Sequence, residues 1–320
     1  MSEVFDPQTL GGWIPFQERT LAQSRAHEDA VGSMPRFGIM GRANEAATKV
    51  CLFDFWKHPD TVSALGFAFP GVHQITGSCV GAGGGNVAFT LAAVEVIRLG
   101  EPERIIVPFW LLPYGRSRFY LGDRRPGEGS TGSTFARAAR EDGFLDARDS
   151  RLPTFQNSDG LVWGQSVELS WSDGDESQTT SLLPESRKHL VGTTAQCNSA
   201  DEVRAAIQNG YPCTCASSWG GRMQCRVTGS PEVLLNEHVT TWQHQMSVQA
   251  FWEHPSLGEL YWIQNQWGLR AHGADPAGGP AGGFWILRKD MDWICRHGEV
   301  FAFSQFQGFP GQPRLLDWLI

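Results

Sequence analysis

The sequence changes period about two thirds of the way along. From Cys51 to Gly143 its apolar residues fall at helical spacing, whereas after Tyr211 they fall into short alternating runs: YPCTCASSW, GRMQCRVTG, HQMSVQAFW, ELYWIQNQW and GGFWILRK. A helical half followed by a strand half, without the regular alternation that builds parallel sheets, predicts an α+β fold whose sheet is mainly antiparallel. At 320 residues the chain can bury a sizeable core as one large domain or two lobes.

Stops and caps divide it further. Residues 1–50 are polar, with a helix expected over Gln17–Ala30 and breaks at Gly32–Gly38 and Gly41, and read as a leader wrapping the body. Residues 51–150 make the helical lobe. In it, a helix starting at Cys79 closes at Gly100, and a shorter one capped by Ser133 or Thr134 closes at Gly143. Residues 151–195 are a polar insertion or linker, 196–298 the β-rich lobe, and 299–320 an aromatic tail expected to dock on the body, another subunit or a larger assembly. At the start of the β-rich lobe, NSADEVRAAIQNG carries a Ser199 cap, acidic residues in its first turn and a Gly210 stop. HQMSVQAFW and ELYWIQNQW, joined by EHPSLG, read as a hairpin.

Charge narrows the partners. A net charge of −8 with no Lys/Arg-rich run gives no footprint for phosphate backbones, so nucleic acid is not expected. The N-terminus has neither the basic nor the apolar region of a signal peptide, and no segment reads as the roughly 20 apolar residues that span a bilayer. The expectation is a soluble, cytoplasmic chain. Seven cysteines spread over this length argue against a disulfide framework. Cys197, Cys213, Cys215 and Cys225 lack the paired spacing of a zinc site, Asp173, Asp175 and Glu176 lack an EF-hand's length and closing Glu, and GADPAGGPAGG lacks a phosphate cradle's lysine; no metal or cofactor is implied.

The chemistry concentrates at HQITGSCVG. Cys79 stands at a helix N-terminus, where the macrodipole favours its thiolate, and Gln74 lies five residues upstream. A nucleophilic thiol needs an imidazole and a group to orient that ring. His244 opens one hairpin strand and Asn265 ends the other, so pairing the strands makes them neighbours, with Trp267 placed to shield their hydrogen bond from water.

Cysteine first at a helix start, histidine much later on a strand, then asparagine in N-x-W-G resembles the papain family of cysteine peptidases, on QITGSCVG, HQMSVQAFW and IQNQWG over roughly residues 65–290. The resemblance implies a two-lobe fold with Cys79 as nucleophile, His244 as base and acid, and Asn265 as orienter. Gln74 with the Cys79 N–H would form the oxyanion hole, and the substrate would be a peptide or protein. Three departures stand out. Gln74 lies one residue closer to the cysteine than in papain, Val80 replaces an aromatic, and Gln245 replaces a small residue beside the imidazole. No inhibitory propeptide pattern is evident in the first 50 residues. GEGSTGS at 127–133 is the candidate for the family's specificity-pocket glycines. Two other readings are a papain-fold docking protein, by analogy a virion component, and an amidase or acyl transferase using the same triad.

Overall fold

A computed structural model describes residues 10–32, 34–37, 47–100, 104–122, 128–172 and 179–305. Its helices are α1 (Leu21–Gly32), α2 (Pro59–Leu65), α3 (Cys79–Leu99), α4 (Leu111–Tyr120), α5 (Gly132–Glu141), α6 (Gln165–Trp171), α7 (Leu183–Ser186), α8 (Ala200–Gln208) and α9 (Arg288–His297). Its strands are β1 (Lys49–Cys51), β2 (Gln156–Asn157), β3 (Leu161–Val162), β4 (Thr193–Gln196), β5 (Cys213–Gly220), β6 (Arg226–Thr228), β7 (Val233–Leu235), β8 (Thr240–His254), β9 (Gly258–Gln264), β10 (Gly283–Leu287) and β11 (Glu299–Ser304).

The helices start and stop where local chemistry dictates. Gly100 closes α3 in the left-handed conformation, as read from sequence. The Ser199 hydroxyl caps α8 by accepting from Glu202 N–H. The cap of α5 is Thr131 rather than Ser133 or Thr134: its side chain accepts from Thr134 N–H, which sets the helix start two residues earlier than expected. α3 itself is 21 residues long and apolar enough to cross a bilayer by length and composition, contrary to the expectation that no segment would be. Instead 83% of its most apolar window is buried, because it is the core helix of the fold. Its glycines let neighbours close in: a Cβ on Gly84 would lie 1.9 Å from Phe135 Cε1 on α5.

The main sheet runs β4-β11-β5-β8-β9-β10-β7-β6, with β1 pairing the far half of β8. Among these strands only β10 and β7 pair in parallel, so the sheet is mainly antiparallel, as read from sequence. The predicted hairpin is β8–β9, with Ser247 opposite Gln264 and His254 opposite Gly258. β8 is longer than expected, starting at Thr240, so His244 lies within it rather than at its mouth. Residues 299–304, assigned from sequence to the tail, form β11 between β4 and β5 and are buried throughout. Residues 151–195, read as a linker, contain β2, β3, α6, α7 and most of β4. Residues 306–320 of the tail, and Asp173, Asp175 and Glu176, lie outside the described residues.

One hydrophobic cluster runs through both halves, from Phe89 and Trp110 on the helical side to Phe251, Trp262 and Phe303 in the sheet. α3 packs against β8 and brings the N-terminus of the helix to the strand that carries His244. All seven cysteines are free thiols, and among the described residues no group of three or more His, Cys, Asp or Glu side chains is placed to hold a metal.

Candidate active site

The thiol of Cys79 is the first side chain of α3, fully buried, and its Sγ accepts from Gln245 N–H at 3.4 Å. Because Gln245 follows His244 on β8, this bond brings helix mouth and strand into one site. The Gln245 side chain does not crowd the imidazole; its Nε2 turns away to donate to Val80 O at 2.6 Å.

A chain of hydrogen bonds fixes the state of the imidazole. Gln266 N–H donates to Asn265 Oδ1 at 2.7 Å, and a backbone N–H can only donate, so that atom is the amide oxygen. The same oxygen lies 2.8 Å from His244 Nε2, which must therefore carry a proton. In the neutral ring Nδ1 is then the bare nitrogen; it is buried and has no hydrogen-bond partner. Trp267 covers the pair, its ring centroid 4.5 Å from that of His244.

Asn265 is held from its other end by a residue the sequence reading missed. Its Nδ2 donates to His272 Nε2 at 2.8 Å. His272 is itself nearly fully buried and adopts φ +70°, a left-handed conformation uncommon outside glycine. The only signal was a histidine seven residues after Asn265, in a loop that hid the contact.

Gln74 lies at the site, buried, with its backbone N–H bonded to Gln266 O. Its Nε2 donates to Thr76 O at 2.8 Å and to Leu10 O at 3.1 Å. The loop between Gln74 and Cys79 is organised by Glu168 on α6, which accepts from the backbone N–H groups of Ile75 and Thr76 and from the hydroxyls of Thr76 and Ser78. Burial raises the Glu168 carboxyl to about 7 even against these donors. His73, the neighbour of Gln74, faces Asp159 at 3.8 Å rather than the thiol.

The leader occupies the site. Besides the Gln74 bond to Leu10, Trp13 N–H donates to Gln243 O at 3.1 Å, Ser130 N–H to Gly12 O at 2.8 Å, and Ile14 N–H to Ser130 O at 3.0 Å. The segment is clamped between the Gln74–Cys79 loop and Gly129–Ser130, within the GEGSTGS run singled out in the sequence. The fit is possible only with glycine: a Cβ on Gly12 would lie 1.7 Å from Gly77 O.

Burial reverses the expected thiol chemistry. Desolvation pushes the Cys79 thiol up to about 12, against backbone hydrogen bonds from Gln245, Gly12, Val80 and Trp13 that favour the thiolate. Desolvation likewise lowers the His244 imidazole to about 3, against the favourable bond to Asn265. Thiol and ring are therefore both neutral in this structure, and the helix dipole invoked from sequence is outweighed.

No protein-family model and no curated protein matches the sequence. Solved structures do. Xylellain, a cysteine protease from Xylella fastidiosa, superposes with a TM-score of 0.56 at 13% identity, over 95% of this chain and 99% of that one. The fold is papain-like. A procathepsin B from Trypanosoma congolense gives a TM-score of 0.52 at 10% identity over 92% and 93% of the two chains. At these identities the papain-like likeness is one of fold, and the chemistry has to be argued from the side chains of this chain.

Proposed function

We propose that the protein is a cysteine-type peptidase, hydrolysing peptide or isopeptide bonds through an acyl-thioester, and that the described structure is its leader-closed resting form. The observation that supports this most is the hydrogen-bond chain from Gln266 through Asn265 to His244, which leaves Nδ1 as an unprotonated base in the site that holds Cys79. With the leader displaced, Nδ1 takes the thiol proton and Sγ attacks the substrate carbonyl carbon. The developing oxyanion takes the place of the Leu10 carbonyl on Gln74 Nε2, beside the Cys79 N–H; one such donor is typically worth about 3 kcal/mol. The imidazolium passes its proton to the departing amine. Water, deprotonated by the same nitrogen, then cleaves the thioester and restores the thiol.

The test is turnover of a peptide and isopeptide panel by full-length protein carrying Gly12→Ala, which loosens the leader, with and without Cys79→Ala. Turnover that disappears with Cys79→Ala supports the mechanism, and turnover that survives it refutes the nucleophile. A second reading, a binding module that keeps the fold without turnover, is favoured by the buried, neutral thiol. It predicts no turnover and no fast alkylation even after the leader is loosened.

A further inference from the structure

The short helix α6 turns a carboxylate inward. Of its seven residues only Glu168 is fully buried, while Val167, Leu169 and Trp171 stay partly exposed. Burying an ionisable group ahead of these apolar ones is costly unless its oxygens are engaged. The four donors that engage them come from one segment, the loop between Gln74 and Cys79. Oε2 accepts from Thr76 N–H at 3.1 Å, from Thr76 Oγ1 at 2.7 Å and from Ser78 Oγ at 2.9 Å, and Oε1 accepts from Ile75 N–H at 3.2 Å.

Through Thr76 and Ser78 the carboxylate reaches both sides of the oxyanion hole. Thr76, held by its N–H and its hydroxyl, accepts from Gln74 Nε2 on its own carbonyl at 2.8 Å. One hydrogen of the amide is fixed there, which aims the other at the place of the Leu10 carbonyl. Ser78 is the N-cap of α3, and a serine in that position ordinarily turns its hydroxyl onto the N–H groups of the first turn. Here the hydroxyl goes to Glu168 and α3 has no side-chain cap, so the positive end of the helix, with Cys79 at its first position, is not screened by one. Between them Gly77 is steadied by Tyr114 Oη, which donates to its carbonyl at 3.2 Å.

We propose that Glu168 is a positioning residue of the oxyanion hole: its carboxylate holds Thr76 and Ser78 where Gln74 Nε2 and the mouth of α3 converge on the developing oxyanion, and its protonation slackens that loop and slows acylation. The four donors fit the ionised group. Two of them are backbone N–H groups, which cannot reverse, so a proton on the carboxyl forces the hydroxyl of Thr76 or Ser78 to turn round and accept. Burial raises this carboxyl to about 7 against the hydrogen bonds from Thr76, Ser78 and Ile75, so the change falls close to neutrality. The state that serves the site is the one that burial disfavours, as happens where function rather than stability selects a residue. The other ionisable groups around the loop are Tyr114 on α4, kept protonated by burial, Glu128 before α5, 2.9 Å from where a Cβ on Gly77 would lie, and His73 with Asp159. Arg116 and Arg118, also on α4, are bonded to Asp142 and to Gly129 O instead.

The proposal rests on the peptidase reading, and the test separates the two by comparing two reactions of one thiol. Hydrolysis of a peptide p-nitrophenyl ester passes through an oxyanion, whereas alkylation of Cys79 by iodoacetamide does not. The ratio of kcat/KM for the ester to the alkylation rate therefore reports the oxyanion hole, with thiol reactivity and folded fraction divided out. It is measured on full-length wild type and Gly12→Ala, each with and without Glu168→Gln. At pH 8, Glu168→Gln is expected to lower the ratio about tenfold, less than the roughly hundredfold or more that outright loss of an oxyanion donor costs. In the parent proteins the ratio is expected to fall as pH drops through about 7, and in Glu168→Gln to stay flat there. The parent profile needs no substitution at position 168, so it decides the matter even where Glu168→Gln does not fold. A parent ratio that is flat across this range, a fall that persists in Glu168→Gln, or a ratio that Glu168→Gln leaves unchanged overturns the positioning role and leaves the peptidase reading standing. Ester hydrolysis that is absent from both parent proteins, or that survives Cys79→Ala, overturns both.

Discussion

Replacing Gly12 by alanine gives the sharpest test of how the leader controls the thiol. The new Cβ would sit 1.7 Å from Gly77 O and 2.5 Å from Gly77 C, both backbone atoms that no rotamer change can move aside. The leader segment must therefore lift, giving up the Gly12, Trp13, Ile14 and Leu10 hydrogen bonds to the body, each worth about 1 kcal/mol net. Once water reaches Cys79, the desolvation that pushes its thiol from 9.0 to about 12 is relieved, partly offset by loss of the Gly12 and Trp13 hydrogen bonds that favour the thiolate. At any pH below 9 the thiolate fraction then rises by up to about a thousandfold. The assay is iodoacetamide alkylation of Cys79 at pH 8 in the full chain, followed by mass spectrometry, with circular dichroism to establish that the body is folded. Wild type is expected to react slowly, and Gly12→Ala faster by at least about tenfold, in the direction of the thiolate gain. A folded Gly12→Ala protein alkylated at the wild-type rate would refute the reasoning, since the leader could not then be what holds the thiol neutral.

Three further outcomes are expected. His272→Ala, which removes the partner of Asn265 Nδ2, should lower turnover of the Gly12→Ala protein about tenfold, as loss of one buried hydrogen bond would, and move the pH profile of Cys79 alkylation; an unmoved profile would assign His272 to packing alone. Glu168 holds its proton up to about pH 7 in the fold against an ordinary value of 4.5. Folded protein thus binds more protons than unfolded across that window, and stability from this group is full below pH 4.5 and declines by about 3 kcal/mol as pH rises through 7. Glu168→Gln should remove that component, seen by comparing urea unfolding of the two proteins at pH 4.5 and 7.5. Gly84→Ala should cost about 1–3 kcal/mol, read as a lowered Tm, because its methyl would overlap the Phe135 ring.

The placement of Cys79, His244 and Asn265 was legible because it depends on local signals joined by one turn. A helix N-terminus fixes Cys79, and a hairpin register fixes His244 beside Asn265; both follow from sequence periodicity. What stayed hidden was set by long-range pairing. β11 inserts between β4 and β5, although their facing residues lie more than 80 positions away in sequence, and nothing in EVFAFS distinguishes a central strand from an apolar tail. The leader's seat was hidden for the same reason: Trp13 and Glu299 are 286 residues apart, and a buried carboxylate cannot be told from a surface one by sequence. The thiol's charge state was misread because the dipole argument is local whereas burial comes from the assembled fold.

The position of β11 also sets an order of events during synthesis. Everything needed to pair β8 with β9 and to bring Cys79 beneath Gln245 is contained in residues 79–265, whereas the anchor of the leader is Glu299, the first residue of β11. Until that strand leaves the ribosome, at typical rates a few seconds after Asn265, the leader has no carboxylate to grip. The strand that fills the gap between β4 and β5 brings that carboxylate with it, so completion of the sheet and anchoring of the Trp13 and Arg19 side chains are a single event. A chain that stalls before residue 299 has neither a complete sheet nor the carboxylate on which Trp13 and Arg19 converge.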